Sequence, residues 1–171
     1  MGYAGGTLAN PTYHRMGDHT ESFQVDFDPA VLSYEALLEI FWKGHNPCAS
    51  AWSRQYMSAI FYHSDAQKKA AESARDRVAE KRGAVKTPIL PVGTFTRAED
   101  YHQKYELRNE SELSKELAAL FGSDGEFVDS TAVARANAAV AGVLPRERLL
   151  KEVDRYGLGE AGRKRLLAYA K

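Results

Sequence analysis

Cysteine is nearly missing from this sequence: Cys48 is the only one in 171 residues, which excludes an intrachain disulfide and any cysteine-rich zinc site. Net charge is missing too. Lys and Arg number 23 against 23 Asp and Glu, with no sustained basic run, so the electrostatic footprint of a nucleic-acid or anionic-membrane partner is lacking. No apolar run approaches the roughly 20 residues a membrane span requires. No basic and apolar leader opens the chain, so a cytoplasmic protein without nucleic-acid or membrane partners is expected. There is no Gly-x-Ser-x-Gly elbow, and Gly2, Gly5 and Gly6 neither follow a visible strand nor open a helix, which argues against a serine hydrolase and a phosphate loop. What is present, 44% hydrophobic and 27% charged residues, suits one globular core with an appendage.

One stretch organises the rest: Gly17-Asp18-His19-Thr20-Glu21-Ser22-Phe23-Gln24-Val25-Asp26-Phe27-Asp28-Pro29. It reads as a turn entering a strand. Phe23, Val25 and Phe27 alternate with Ser22, Gln24 and Asp26, so a period of two puts the three apolar side chains on one buried face. Glu21 falls on that same face. A carboxyl at the mouth of an apolar surface is poorly solvated when charged, which favours its protonated form and makes it a candidate general acid. Ahead of it, Gly2-Tyr3-Ala4-Gly5-Gly6 and the Asn10-Pro11 step look like a strand end entering a tight loop, and an element upstream of them is expected.

Downstream, Ser33 caps a helix whose apolar positions Tyr34, Leu37, Leu38, Phe41 and Trp42 share one face, and Gly44 closes it. His45-Asn46-Pro47-Cys48 leaves as a loop. Residues 55–63 have the composition of a central, covered strand, opened by Tyr56. An Ala-rich helix capped by Ser64 or Asp65 runs to Arg82 and stops at Gly83. Residues 85–92 form an edge strand, since Pro88 and Pro91 cannot donate to a ladder. A short helix over 99–105 and an amphipathic one over 111–121 follow, the latter with Leu113, Leu117 and Leu120. Gly122-Ser123-Asp124-Gly125 marks a boundary, and helices over 130–143, 146–156 and up to Ala170 complete the chain. This order describes an α+β fold: a small two-layer sandwich over residues 1–121 and an all-helical C-terminal extension over 122–171.

His14, His19 and Glu21 have the residue types of a metal site, but the ring nitrogens have no evident supporting partner and no metal is expected. A more specific signal is collinear. Gly2-Tyr3-Ala4-Gly5-Gly6, Asn10-Pro11-Thr12-Tyr13, Gly17-x-His19-x-Glu21, the Asp26-Phe27-Asp28-Pro29 strand end, Gln55-Tyr56-x-Ser58-Ala59-Ile60 and Ala98-Glu99-Asp100-Tyr101-His102-Gln103-x-Tyr105 stand in order over residues 2–109. Together they resemble the peptide-methionine (S)-S-oxide reductases, the A-type methionine sulfoxide reductases.

That resemblance implies a ferredoxin-like sandwich and reduction of methionine (S)-sulfoxide, free or in proteins. A cysteine thiolate attacks the sulfoxide sulfur while a protonated carboxyl and two phenols hydrogen-bond its oxygen. The matching positions are Glu21 as proton donor, with Tyr13 and Tyr56 as the phenols. No prosthetic cofactor is implied; thioredoxin or a similar dithiol returns the sulfenic acid to thiol. The expected state is a monomer. The family's nucleophile lies in a Gly-Cys-Phe-Trp motif ahead of Gly-Tyr-x-Gly-Gly, and this sequence has no cysteine there. It is therefore expected to be an N-terminally incomplete reductase, inactive as an isolated chain. The alternative is a non-catalytic sulfoxide-binding or protein-interaction module on the same fold. The loop before Gln55 is shorter than in the family, with Ala51-Trp52 near the place of an Asp, and the C-terminal resolving cysteines are absent. Cys48 is the candidate resolving thiol, with His45 and Arg54 as the neighbours able to activate it.

Overall fold

The computed structural model describes residues 1–170. They form two compact units, Met1–Glu99 and the chain from Asp100 onward. In the first, β1 (Gly2–Ala4) is the middle strand of an antiparallel sheet, flanked by β2 (Thr20–Ser22) and β5 (Thr96–Arg97). Tyr3 stands opposite Glu21 on one side and Thr96 on the other. β3 (Ile60–Tyr62) and β4 (Ile89–Pro91) make a separate parallel pair. The helices α1 (Tyr34–Lys43) and α2 (Asp65–Arg82) pack on that pair through Leu38, Trp42, Ile60, Ala71 and Ala74. Both start where a serine hydroxyl satisfies an orphan amide: Ser33 Oγ accepts from Ala36 N and Ser64 Oγ from Gln67 N. Gly5 turns the chain out of β1 at φ +74°, and a Cβ there would lie 2.3 Å from the Phe61 ring, so both conformation and space require glycine.

Two expected strands are shorter than the sequence suggests. The one over residues 22–28 ends at Ser22, because β1 offers partners only to Thr20, Glu21 and Ser22. Beyond that ladder Phe23 and Val25 are 71% and 47% exposed instead of buried. The covered strand over 55–63 reduces to Ile60–Tyr62. Its first half leaves the β3 line to reach β2, where the Gln55 carbonyl accepts from Glu21 N at 3.0 Å, and Tyr56 sits in a turn.

The second unit is all helical: α3 (Tyr105–Asn109), α4 (Ser111–Ala118), α5 (Asp124–Asp129), α6 (Thr131–Val140), α7 (Arg146–Glu152) and α8 (Glu160–Tyr169), with 3-10 turns at Asp100–His102 and Val153–Tyr156. Leu107, Leu113 and Leu117 are fully buried with Val133, Leu149 and Leu166, and Leu107 N donates to Asn137 Oδ1 at 3.1 Å. α3 and α4 therefore belong with the downstream helices, and the compact units divide at Glu99, not at the boundary expected after residue 121. Gly122-Ser123-Asp124-Gly125 is a helix start, with Ser123 Oγ accepting from Glu126 N while Glu126 Oε2 accepts from Gly122 N, a reciprocal capping arrangement. α8 begins at Gly159 without a side-chain cap of its own. Glu116 of α4 supplies the acceptor, its Oε1 taking the Gly159 amide at 2.6 Å.

Candidate functional site

The site is assembled from three chain segments of the first unit. Glu21, half-buried in the middle of β2, is tied twice to Gln55. Its amide donates to the Gln55 carbonyl, and Gln55 Nε2 donates to Glu21 Oε1, each at 3.0 Å. That double tie delivers the next residue, Tyr56, to the carboxyl. Tyr13 arrives from the loop after β1. Its amide donates to Glu99 Oε1 at 3.1 Å, while the other oxygen of Glu99 accepts from the buried Tyr3 hydroxyl at 2.6 Å, so one carboxylate braces the Tyr13 backbone against the central strand. The phenols of Tyr13 and Tyr56 are near enough to influence each other. The Tyr13 phenol is the first cause holding the Tyr56 phenol above the ordinary tyrosine range, with partial desolvation and the nearby Glu21 adding to it. Tyr56 thus stays a protonated donor at neutral pH.

A further set of contacts holds this loop in place. Arg54 donates through Nε to the Asp18 carbonyl and through its second guanidinium nitrogen to the Gly5 carbonyl at 2.8 Å, and its own carbonyl accepts from Thr20 Oγ1 at 3.0 Å. Asp18 accepts from the Thr7 amide at 2.8 Å, the Leu8 amide at 3.3 Å and the Thr7 hydroxyl at 3.0 Å. Led by the Thr7 amide bond, these contacts lower the Asp18 carboxyl from 3.8 to about 2. A carboxyl depressed by folding stabilises the native state above its unfolded value, and that contribution disappears as pH falls through the folded one. Asp18→Asn is accordingly expected to remove part of the acid-dependent loss of stability between pH 3.8 and about 2, measured as the pH dependence of the melting temperature. An identical acid limb in wild type and variant would show that these bonds do not contribute.

His19 belongs to the same loop rather than to a metal site. It is buried, its Nδ1 accepting from Gly6 N at 3.3 Å and its Nε2 donating to Leu8 O at 2.9 Å. His14 is exposed and stands edge-on to the Tyr13 ring at 5.3 Å. Cys48 is half-buried, and its thiol donates to the Arg82 carbonyl at 3.4 Å. Neither expected activator reaches it. His45 is held by Phe41 O and Thr87 Oγ1, both at 2.9 Å, and Arg54 is bound at Gly5 and Asp18. The structure therefore brings Glu21, Tyr13 and Tyr56 together and gives Cys48 different company. Gln55, Glu99 and Asp18 stand within the sequence motifs without a role of their own, and Arg54 is expected there only as an activator of Cys48, not as the clamp on Gly5 and Asp18. Beside Glu21 opens an apolar groove of about 460 Å³, walled by Phe23, Val25, Tyr34, Leu37 and Phe41.

The family model for peptide methionine sulfoxide reductase matches residues 1–125. This chain belongs to that family. It is 37% identical to the peptide methionine sulfoxide reductase of Drosophila melanogaster over 162 residues, covering 92% of this chain and 64% of the fly protein. With the MsrA of Methanosarcina mazei it shares 44% identity over 118 residues, covering 61% of this chain and 56% of that protein. The crystal structure of Mxr1 from Saccharomyces cerevisiae in reduced form aligns at a TM-score of 0.59 and 30% identity, over 64% of this chain and 70% of the yeast chain. The fold is thus the α+β fold of the A-type methionine sulfoxide reductases. The chain spans only 56% to 64% of the length of the two relatives. Within the family match, the Glu21, Tyr13 and Tyr56 cluster lies wholly inside residues 1–125.

Proposed function

We propose that this chain supplies the oxygen-binding and proton-donating half of methionine (S)-sulfoxide reduction, acting on the free amino acid or on methionine sulfoxide in proteins. The observation that carries the reading is the convergence of one carboxyl and two phenols from three segments, with the Gln55 tie to Glu21 and the Glu99 brace on the Tyr13 amide preorganising them. The sulfoxide oxygen takes hydrogen bonds from Tyr13 and Tyr56 as negative charge grows on it, and Glu21 gives it a proton. A thiolate forms the bond to sulfur. The oxygen then passes from the methionine sulfur to the cysteine sulfur: the methionine sulfur–oxygen bond and the new sulfur–sulfur bond break, a bond from oxygen to the cysteine sulfur forms, methionine leaves as the thioether, and the cysteine is left as a sulfenic acid carrying the donated proton. An external dithiol, thioredoxin or a similar protein, then reduces that sulfenic acid to thiol with release of water and formation of its own disulfide. No prosthetic group enters these steps. The attacking thiol is assigned to a Gly-Cys-Phe-Trp segment upstream of Gly2, as the family resemblance implies.

A second reading, a sulfoxide-binding module without turnover, is favoured by one observation: the only thiol is hydrogen-bonded to Arg82 O. Both readings require sulfoxide recognition. Titrating the chain with the (S) and (R) epimers of N-acetylmethionine sulfoxide, while following the ring resonances of Tyr13 and Tyr56, tests that shared requirement. The (S) epimer is expected to move both rings and Tyr13→Phe to weaken the response. Silence of both rings toward either epimer would overturn the assignment.

A further inference from the structure

Trp52 fills no core. Its indole is 81% exposed, yet it lies stacked on the ring of Tyr56, with centroids 5.2 Å apart and planes inclined by 29°. Tyr56 is itself 45% exposed, so the pair forms a continuous aromatic surface at the rim of the Glu21, Tyr13 and Tyr56 cluster. The segment that carries it is anchored on both sides. Upstream, Lys86 N donates to Pro47 O at 2.8 Å and Lys86 Nζ to Ser50 Oγ at 3.0 Å. Downstream, Tyr56 N donates to Ser53 Oγ at 3.3 Å and Arg54 is clipped to the Gly5 and Asp18 carbonyls. A large aromatic face held in place while open to water is the arrangement of a preorganised contact surface, with little conformational entropy left to lose on binding.

Position gives the contact its chemistry. The indole lies one ring beyond the Tyr56 ring whose hydroxyl meets Tyr13, and the 5.2 Å step between rings is within reach of a neighbouring residue in an extended chain, which advances about 3.3–3.6 Å per residue. A free amino acid has no such neighbour. We propose that Trp52 is a specificity-determining residue: its open face takes an apolar or planar side chain adjoining the methionine sulfoxide in a polypeptide, so that the site prefers peptidyl over free methionine sulfoxide. This rests on the reading of Glu21, Tyr13 and Tyr56 as the sulfoxide site. A purely structural Trp52, one that only orients Tyr56, would affect every ligand alike, and the distinction is measurable.

The experiment compares three ligands on the full 171-residue chain: free methionine (S)-sulfoxide, a Gly-flanked sulfoxide tripeptide, and the same tripeptide with Phe as one flank. Affinity is read from the Tyr13 and Tyr56 ring signals, and contact with the indole from protection of tryptophan fluorescence against iodide. Trp42 is buried, so iodide reports on Trp52. The Phe tripeptide is expected to bind about three- to tenfold more tightly than the free sulfoxide, the range of an aromatic pair contact, and to shield the indole. Trp52→Ala collapses that affinity ratio toward one, and Trp52→Phe keeps most of it. Equal wild-type affinities, or an equal loss for all three ligands in Trp52→Ala, would overturn the specificity role while leaving the sulfoxide site standing. If no ligand moves either tyrosine, the site reading fails and this inference fails with it.

Discussion

With dithiothreitol as reductant, the 171-residue chain is expected to reduce no methionine sulfoxide, whereas the same chain extended upstream through a Gly-Cys-Phe-Trp segment turns it over. The nucleophile must be a thiolate aimed at the sulfoxide sulfur, and its reactivity depends on a neighbour that stabilises the ionised form. The Cys48 thiol donates to the Arg82 carbonyl at the end of α2, while His45 and Arg54 are engaged elsewhere. It also lies in a Pro-anchored loop, its amide fixed by Asn46 Oδ1 at 3.1 Å. Without a thiolate, hydrogen bonds to the oxygen stabilise charge for a reaction that never begins, so the difference is one of presence against absence. Turnover by the short chain that vanishes in Cys48→Ser would overturn this and make Cys48 the nucleophile. The DNA preceding the first codon gives an independent check. An in-frame Gly-Cys-Phe-Trp sequence supports the reductase, and a stop codon in that interval supports the binding module.

In the extended enzyme, Glu21→Gln is expected to lower the turnover rate by about two orders of magnitude or more, two orders being the lower end of the range for general-acid help. Glutamine has nearly the same shape. Its side-chain oxygen can still accept from Gln55 Nε2, which bonds Glu21 Oε1 at 3.0 Å, and its amide still donates a hydrogen bond, so folding and oxygen binding are largely retained. Transfer of a proton to the leaving oxygen is lost. Tyr56 does not replace it, because the neighbouring Tyr13 phenol raises its pKa and makes it a weaker acid than an ordinary tyrosine. The measurement is single-turnover reduction across a pH series. An unchanged rate with an unchanged pH profile would remove Glu21 from the proton-donor role, while a rise in KM alone would reassign it to binding.

The parts of this protein that its sequence determines are those whose hydrogen bonds close within a few residues. α1 and α2 begin at Ser33 and Ser64 and stop at Gly44 and Gly83, as capping chemistry and apolar spacing require, because a helix satisfies its amides from its own chain. The residue types of the site were legible for a similar reason: Glu21, Tyr13 and Tyr56 sit in short motifs whose order along the chain is itself the signal. Strand length was not. A period of two over residues 22–28 describes a strand able to pair, but pairing needs a partner, and β1 reaches only Thr20, Glu21 and Ser22. Gly122 to Gly125 resembles a linker by composition, yet it caps α5, and the unit to which α4 belongs was decided by where Leu113 and Leu117 found company. The supports of the site were equally hidden. Gln55 lies 34 residues from Glu21, Arg54 lies 49 from Gly5, and Glu99 lies 86 from Tyr13. Contacts over such separations form only when the folded backbone has already brought the segments together, so no local pattern records them.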